Sequence, residues 1–201
     1  MSNEWIAAAL KQMPCVELPG GMLRSCPVRL SYPYLFEPQA GQAQDDGSMG
    51  KPKYATTLLF PRGADLTVLK AAANKAAIDK FGANYKGPRL HTPFRDQGEK
   101  GHINGYEEGC IFISASSLQR PGVVDAQRQQ IHDPARVYPG VWALVSLRPY
   151  AFDNPKKKGV SFGLGNVQII RDDEPFSVRS APDDDFQAVN IDGQIDTAAL
   201  F

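Results

Sequence analysis

Apolar and polar positions alternate at strand spacing in five stretches of this chain. Over 26–36, Val28, Leu30 and Tyr32 fall on one face and Arg29 and Ser31 on the other. A second strand is predicted over 54–60 (YATTLLF), ended by Pro61, and a third over 110–116 (CIFISAS). Residues 137–150 (VYPGVWALVSLRPY) supply a fourth, interrupted at Pro139-Gly140, and residues 160–170 (VSFGLGNVQII) a fifth. Glycines inside a strand, here Gly163 and Gly165, mark a bulge or a close backbone approach.

The spacing turns helical over 66–81. Leu66, Leu69, Ala73, Ala76, Ala77 and Phe81 recur on one side, with Asp65 at the cap and Gly82 at the stop. A shorter helix is expected from Ser2 to Leu10, stopped by Pro14 and followed by a turn at Pro19-Gly20-Gly21. Residues 37–53 are polar and rich in breakers, so they read as a loop. Residues 83–109 form a longer loop, and loops beyond about 12–15 residues are uncommon without a function. Five strands, one substantial helix and no βαβ alternation predict a mainly β fold. The expected form is a small β-barrel or β-sandwich with the helix plugging one end.

Composition adds little until charge is mapped along the chain. The 18 glycines and 16 prolines agree with many turns. Cys15, Cys26 and Cys110 are odd in number and lack CxxC spacing, which argues against a disulfide scaffold or cysteine zinc site and fits a reducing cytoplasm. The apolar run from Trp5 to Leu10 is too short to span a bilayer and has no basic flank, so no membrane association is expected. The formal charge of the 201 residues is zero. Residues 1–171, however, hold 21 basic and 14 acidic side chains, and residues 172–201 hold one basic and eight acidic. The expected organisation is an N-terminal extension over 1–25, a basic domain over 26–171 and an acidic tail over 172–201. Such an asymmetry points toward nucleic acid.

Enzyme signatures are poor. Gly50-Lys51 is followed by Pro52, and position 45, where a P-loop needs its first glycine, is Asp45. The residues His91, Asp96, Glu99, His102, Glu107 and Glu108 share one loop and could hold a divalent ion for phosphodiester chemistry. Their spacing matches no metal motif, and basic residues are interleaved. Neither a cofactor nor a catalytic residue is expected, and a metal-dependent phosphodiester enzyme using 91–108 is the alternative. A phage structural or interaction module that binds no DNA is another.

The binding pattern is stronger. Single strands are held by basic grooves lined with aromatic rings, because every nucleotide carries a charge and every base a π-face. Arg29 and Tyr32 lie on the first strand, with Tyr34 and Phe36 beyond them, and Lys51, Lys53 and Tyr54 open the second. Arg89, Phe94 and Arg95 follow in the long loop, and Arg120 lies after the third strand. Trp142, Arg148 and Tyr150 lead into Lys156, Lys157 and Lys158. Alternation sets Val141, Ala143, Val145 and Leu147 on a core face, leaving Trp142, Leu144, Ser146 and Arg148 for a ligand.

These residues also carry a resemblance. Val28-Arg29-Leu30-Ser31-Tyr32-Pro33, Gly50-Lys51-Pro52-Lys53-Tyr54, Arg120-Pro121, Tyr138-Pro139-Gly140, residues 150–154 (YAFDN), residues 158–164 (KGVSFGL) and Asn166-Val167-Gln168 occur in order. Together they resemble the bacteriophage single-stranded DNA-binding proteins of OB fold, formerly a phage domain of unknown function. The likeness covers roughly residues 26–188. It implies an OB-fold-like five-stranded β-barrel and sequence-tolerant binding of single-stranded DNA in replication, recombination or repair, without catalysis, in the cytoplasm of the bacterial host. The helix follows the second predicted strand, whereas that fold usually places it after the third. Either residues 13–24 add a strand, or the helix position is a variation. The tail, with Asp183, Asp184, Asp185, Phe186 and the terminal Phe201, resembles those of replication single-strand binders. Two roles are expected of it: occupying the empty groove and docking replication or recombination proteins.

Overall fold

The computed structural model describes residues 3–41, 49–154 and 157–176. Helix α1 (Asn3–Gln12) leads into a short hairpin of β1 (Val16–Leu18) and β2 (Met22–Arg24). Its turn needs Gly20 and Gly21, whose φ angles of 76° and 73° suit a residue without Cβ. Then follow β3 (Val28–Gln39), β4 (Lys53–Leu59), α2 (Thr67–Phe81) and the two-residue β5 (Arg95–Asp96). The chain closes with β6 (Ile111–Ser117), β7 (Val123–Val124), β8 (Trp142–Asp153) and β9 (Lys158–Arg171).

Five of these strands make a closed ring. β3 pairs antiparallel with β8 on one side and β4 on the other, and β4 pairs with β6. β6 runs parallel to β9, and β9 returns antiparallel to β8. First strand against second and fourth, with third parallel to fifth, is an OB barrel. β1 and β2 extend the sheet outside that ring, where Leu23 faces Leu147 and Arg24 faces Ser146. The extra strand pair is therefore real, yet α2 still follows the second barrel strand. Both readings of the helix position hold together.

The ring exists because each barrel strand turns an apolar row inward. Val28, Leu30, Leu58, Ile113, Ala115, Val145, Leu147 and Phe162 are buried in one cluster, which Leu66, Leu69 and Ala73 join from the α2 region. α2 starts one residue later than its periodicity predicts. Asp65 accepts the Thr67 N–H at 2.9 Å, hydrogen bonding from the Thr67 side chain and backbone holds its carboxyl below the usual carboxylate range, and Gly82 donates to the Ile78 carbonyl at 2.8 Å at the other end.

Two departures from simple alternation matter for the surface. β3 bulges at Tyr32, a non-glycine residue at φ 49°, and its register against β4 shifts between Ser31 and Tyr34. An extra residue inverts the strand's faces, so Leu35 rather than Phe36 is fully buried and Tyr32 turns outward, away from the face of Val28 and Leu30. The predicted strand over 137–150 instead begins at Trp142, because Pro139 and Gly140 (φ 110°) turn the chain just before it. Gly165 meets its expectation of close approach. A Cβ there would sit 3.0 Å from the Ser146 carbonyl oxygen.

Candidate nucleic-acid interface

The outer face of β4 and β6 is paved with small side chains. Ala55 lies opposite Ser116 and Thr57 opposite Ser114, whose hydroxyls share a 3.2 Å hydrogen bond, and Tyr34 of β3 lies beside Ala55 at the same level. Large side chains would fill this floor, whereas Ala, Ser and Thr leave it flat. In OB barrels this second-and-third-strand face, with the loops joining strands one to two and four to five, takes oligonucleotides.

Those two loops meet here in a groove of about 800 Å³ lined by Lys51, Lys53, Asn154, Lys157 and Leu118. Among the described residues, none of these three lysines has a carboxylate within ion-pair distance, whereas Lys158 is paired with Asp153 at 2.9 Å. Leu118 is 59% exposed and offers an apolar surface amid the charge.

The opposite margin of the floor is built by the loop between β5 and β6. Gln97 staples it down: its amide donates to the Phe60 and Ile111 carbonyls at 3.0 and 2.9 Å and accepts the Glu107 N–H at 2.9 Å. Asp96 caps the turn by accepting the Gly98 N–H. Lys100 is thereby held among three rings, 5.9 Å from Tyr32, 5.7 Å from Tyr106 and 5.1 Å from Phe112. Desolvation lowers the Lys100 pKa and raises that of Tyr106, whose hydroxyl donates to Ser31 at 3.2 Å. Tyr32 is 46% exposed.

The segment after β9 lies along the same side of the barrel. Asp173 accepts the Trp142 indole N–H at 2.9 Å and pairs with Arg29 at 3.2 Å, while its N–H reaches the Tyr138 hydroxyl at 3.0 Å. Phe176 donates its N–H to the Pro139 carbonyl and lies 4.3 Å beneath the Arg29 guanidinium. Burial lowers the Arg29 pKa, opposed by Asp173. Arg29 is thus spent on this strap.

Trp142 requires a correction. It is 2% exposed, covered by Trp5 of α1 at 5.0 Å edge-on, so it is no open stacking platform. Leu144 is buried on the same covered face. Phe94 likewise packs edge-on to the core Phe162 at 5.9 Å. Arg95 is ion-paired with Glu99 and lies over Phe112. Arg89 lines a separate hollow with Arg95. Tyr54 is half-buried, and Arg120 stacks over Phe36 at 5.4 Å. Arg148 and Tyr150 are exposed on β8, with Arg148 at the level of the floor across Gly163. Lys156, Asp183, Asp184, Asp185, Phe186 and Phe201 lie outside the described residues.

The acidic loop residues proposed for a metal have other partners. Glu107 pairs with Arg62 at 2.8 Å, Glu99 with Arg95, and Asp96 with its own turn; no metal-ligating cluster occurs among the described residues. Residues missed from sequence are Lys100, Tyr106 and the small floor, whereas Tyr34 belonged to the aromatic pattern of the first strand. The signal for the floor was present, since Ala55, Thr57, Ser114 and Ser116 interrupt otherwise apolar strands at period two.

A family model described as the ssDNA-binding protein of Enterobacter phage Enc34 matches residues 23–196. Among solved structures, the single-stranded DNA-binding protein from bacteriophage Enc34 in complex with ssDNA is 25% identical. The alignment covers 83% of this chain and 99% of that one, with a TM-score of 0.64. The same phage protein described without that ligand gives 26% identity, 86% and 93% coverage, and a TM-score of 0.62. The bacteriophage T7 single-stranded DNA-binding protein gp2.5, at 15% identity, shares the fold, with 82% and 100% coverage and a TM-score of 0.54. No curated protein sequence matches the chain.

Proposed function

The chain belongs to the family of the Enterobacter phage Enc34 ssDNA-binding protein, and from that membership we propose that it coats single-stranded DNA across the β4–β6 face, with little regard to sequence. The observation that carries this reading is the flat floor of Ala55, Thr57, Ser114 and Ser116 between groove lysines and exposed tyrosines. Floors without large side chains leave room for bases of either size.

Lys51, Lys53 and Lys157 meet phosphates, and Lys156, adjacent to Lys157 in sequence, serves with them. Tyr32 and Tyr34 stack bases, each contact contributing on the order of 1–3 kcal/mol. Arg148 and Tyr150 extend the path around the barrel, and Arg89 and Arg120 serve as outlying phosphate contacts. Binding proceeds without turnover and supports phage replication, recombination or repair in the host cytoplasm. No helix among the described residues is long and apolar enough to cross a membrane. The acidic tail around Asp183, Asp184 and Asp185 competes with DNA for the groove and docks replication proteins. Changing Asp183, Asp184 and Asp185 together to Asn should tighten binding at low salt; unchanged or weaker affinity would end that role.

One titration tests the whole reading, using labelled oligo-dT and a matched duplex at two salt concentrations, with and without magnesium. Salt-sensitive retention of the single strand, weaker duplex binding and intact DNA are expected. Failure to bind oligo-dT would overturn it, and magnesium-dependent cleavage would overturn the absence of turnover.

A further inference from the structure

Beside the floor lies a hollow of about 320 Å³ whose chemistry differs from that of the lysine groove. Its lining includes the rings of Tyr32 and Phe176, with Pro139, Ser31, His102 and Asn104. Flat apolar walls suit the faces of a heteroaromatic ring, and the hydroxyl, imidazole and amide suit its polar edge. One wall is a tyrosine in left-handed backbone, a conformation that persists only where the surroundings impose it. The other comes from outside the barrel.

Phe176 lies five residues past β9, and several features hold it in place. Gly105 (φ 88°) and Gly140 (φ 110°) have no room for a side chain: a Cβ on Gly105 would collide with the Phe176 ring, and one on Gly140 would come 2.8 Å from the Glu174 carbonyl oxygen. Arg29 covers the ring, and Asp173, just upstream, is neutralised by Arg29 and the Trp142 indole. Asp173 therefore has its charge balanced within the protein. The hollow is also continuous with the floor, since Tyr32 and Ser31 belong to both margins and Lys100 stands 5.9 Å from the Tyr32 ring.

We infer that Tyr32 and Phe176 wall a slot for one nucleobase of the bound strand, which makes residues 172–176, the start of the acidic segment, part of the site. This rests on the single-strand binding proposed above. The acidic segment then has two parts with opposite effects: a root that completes the site and a distal part that competes for it.

The test uses the full chain carrying Phe176→Ala, Phe176→Leu, Phe176→Tyr or Phe176→Trp, titrated with oligo-dT beside the parent. Loss of the ring in the Ala and Leu variants should weaken binding about tenfold with the salt slope unchanged, because no charge is removed. The Tyr variant should bind like the parent. Saturating oligo-dT should quench emission of the Trp variant beyond the change seen in the parent, which carries Trp5 and Trp142. If the Ala variant fails to fold, the Leu and Tyr pair decides. A parent that binds while the Leu and Tyr variants bind equally would overturn the slot, as would a Trp variant whose emission changes no more than the parent's. A parent that does not bind would instead overturn the function on which the slot depends.

Discussion

Gln97 satisfies three backbone groups with one buried amide, and those groups belong to Phe60 just past β4, to β6 and to the loop between β5 and β6. Replacing it with Ala strands the Phe60 carbonyl and the Glu107 N–H, while the Ile111 carbonyl keeps the Phe60 N–H, and buried unpaired groups of this kind cost about 1–3 kcal/mol. Gln97→Ala should therefore lower the denaturant midpoint. It should also weaken oligo-dT binding, because Lys100 and Tyr106 lose their mooring; retained affinity in a destabilised variant would separate the loop from the site. Tyr32 predicts the reverse pairing. Its left-handed backbone costs about 1–3 kcal/mol for a bulky residue, a cost that glycine escapes. Tyr32→Gly should be at least as stable to denaturation as the parent and bind the single strand less tightly. A residue kept for folding alone would show neither gain nor loss in that combination.

β8 and β9 form the longest ladder of the barrel, and their register shifts between Val145 and Leu147, where Gly165 comes against Ser146. Gly165→Ala forces a Cβ toward the Ser146 hydroxyl and carbonyl, so thermal stability should fall by about 1–3 kcal/mol; an unchanged melting temperature would mean the ladder yields freely there. This close approach was legible in the sequence, as were the five strands, whose inward rows repeat at period two. The bulge at Tyr32 was not, because alternation counts residues and a bulge spoils the count without altering composition. Trp142 was misplaced for a related reason: its neighbours on β8 correctly mark the core face, but α1 and the strap cover the other face too. Only the tertiary arrangement reveals that. The groove lysines were legible as charge near loops. Lys100 was not, since its position depends on a fold-back secured by Gln97.

Across the whole protein, the zero formal charge describes no surface that a ligand would meet. Positive side chains on the described surface divide into those with a carboxylate partner, such as Lys75 with Asp79 at 2.6 Å, and those with none among the described residues, such as Lys51, Lys53 and Lys157. Only the second kind should govern salt dependence. Lys51→Gln, Lys53→Gln and Lys157→Gln should each reduce the log–log salt slope for oligo-dT by about 0.7, the value for one phosphate on a single strand. Lys75→Gln should leave it unchanged. Equal slopes for all four would place the strand elsewhere.

The closed ring has one more consequence. A protein that coats a strand brings its copies to very high local density, the condition under which exposed sheet edges pair and proteins aggregate. Here each of the five barrel strands pairs on both sides over part of its length, and among the described residues the strands outside the ring that end the sheet, β1, β5 and β7, have only three, two and two residues. Neighbours crowded shoulder to shoulder along DNA therefore meet ring strands already engaged on both sides over part of their length, which limits the backbone through which a dense coat could polymerise its own sheets.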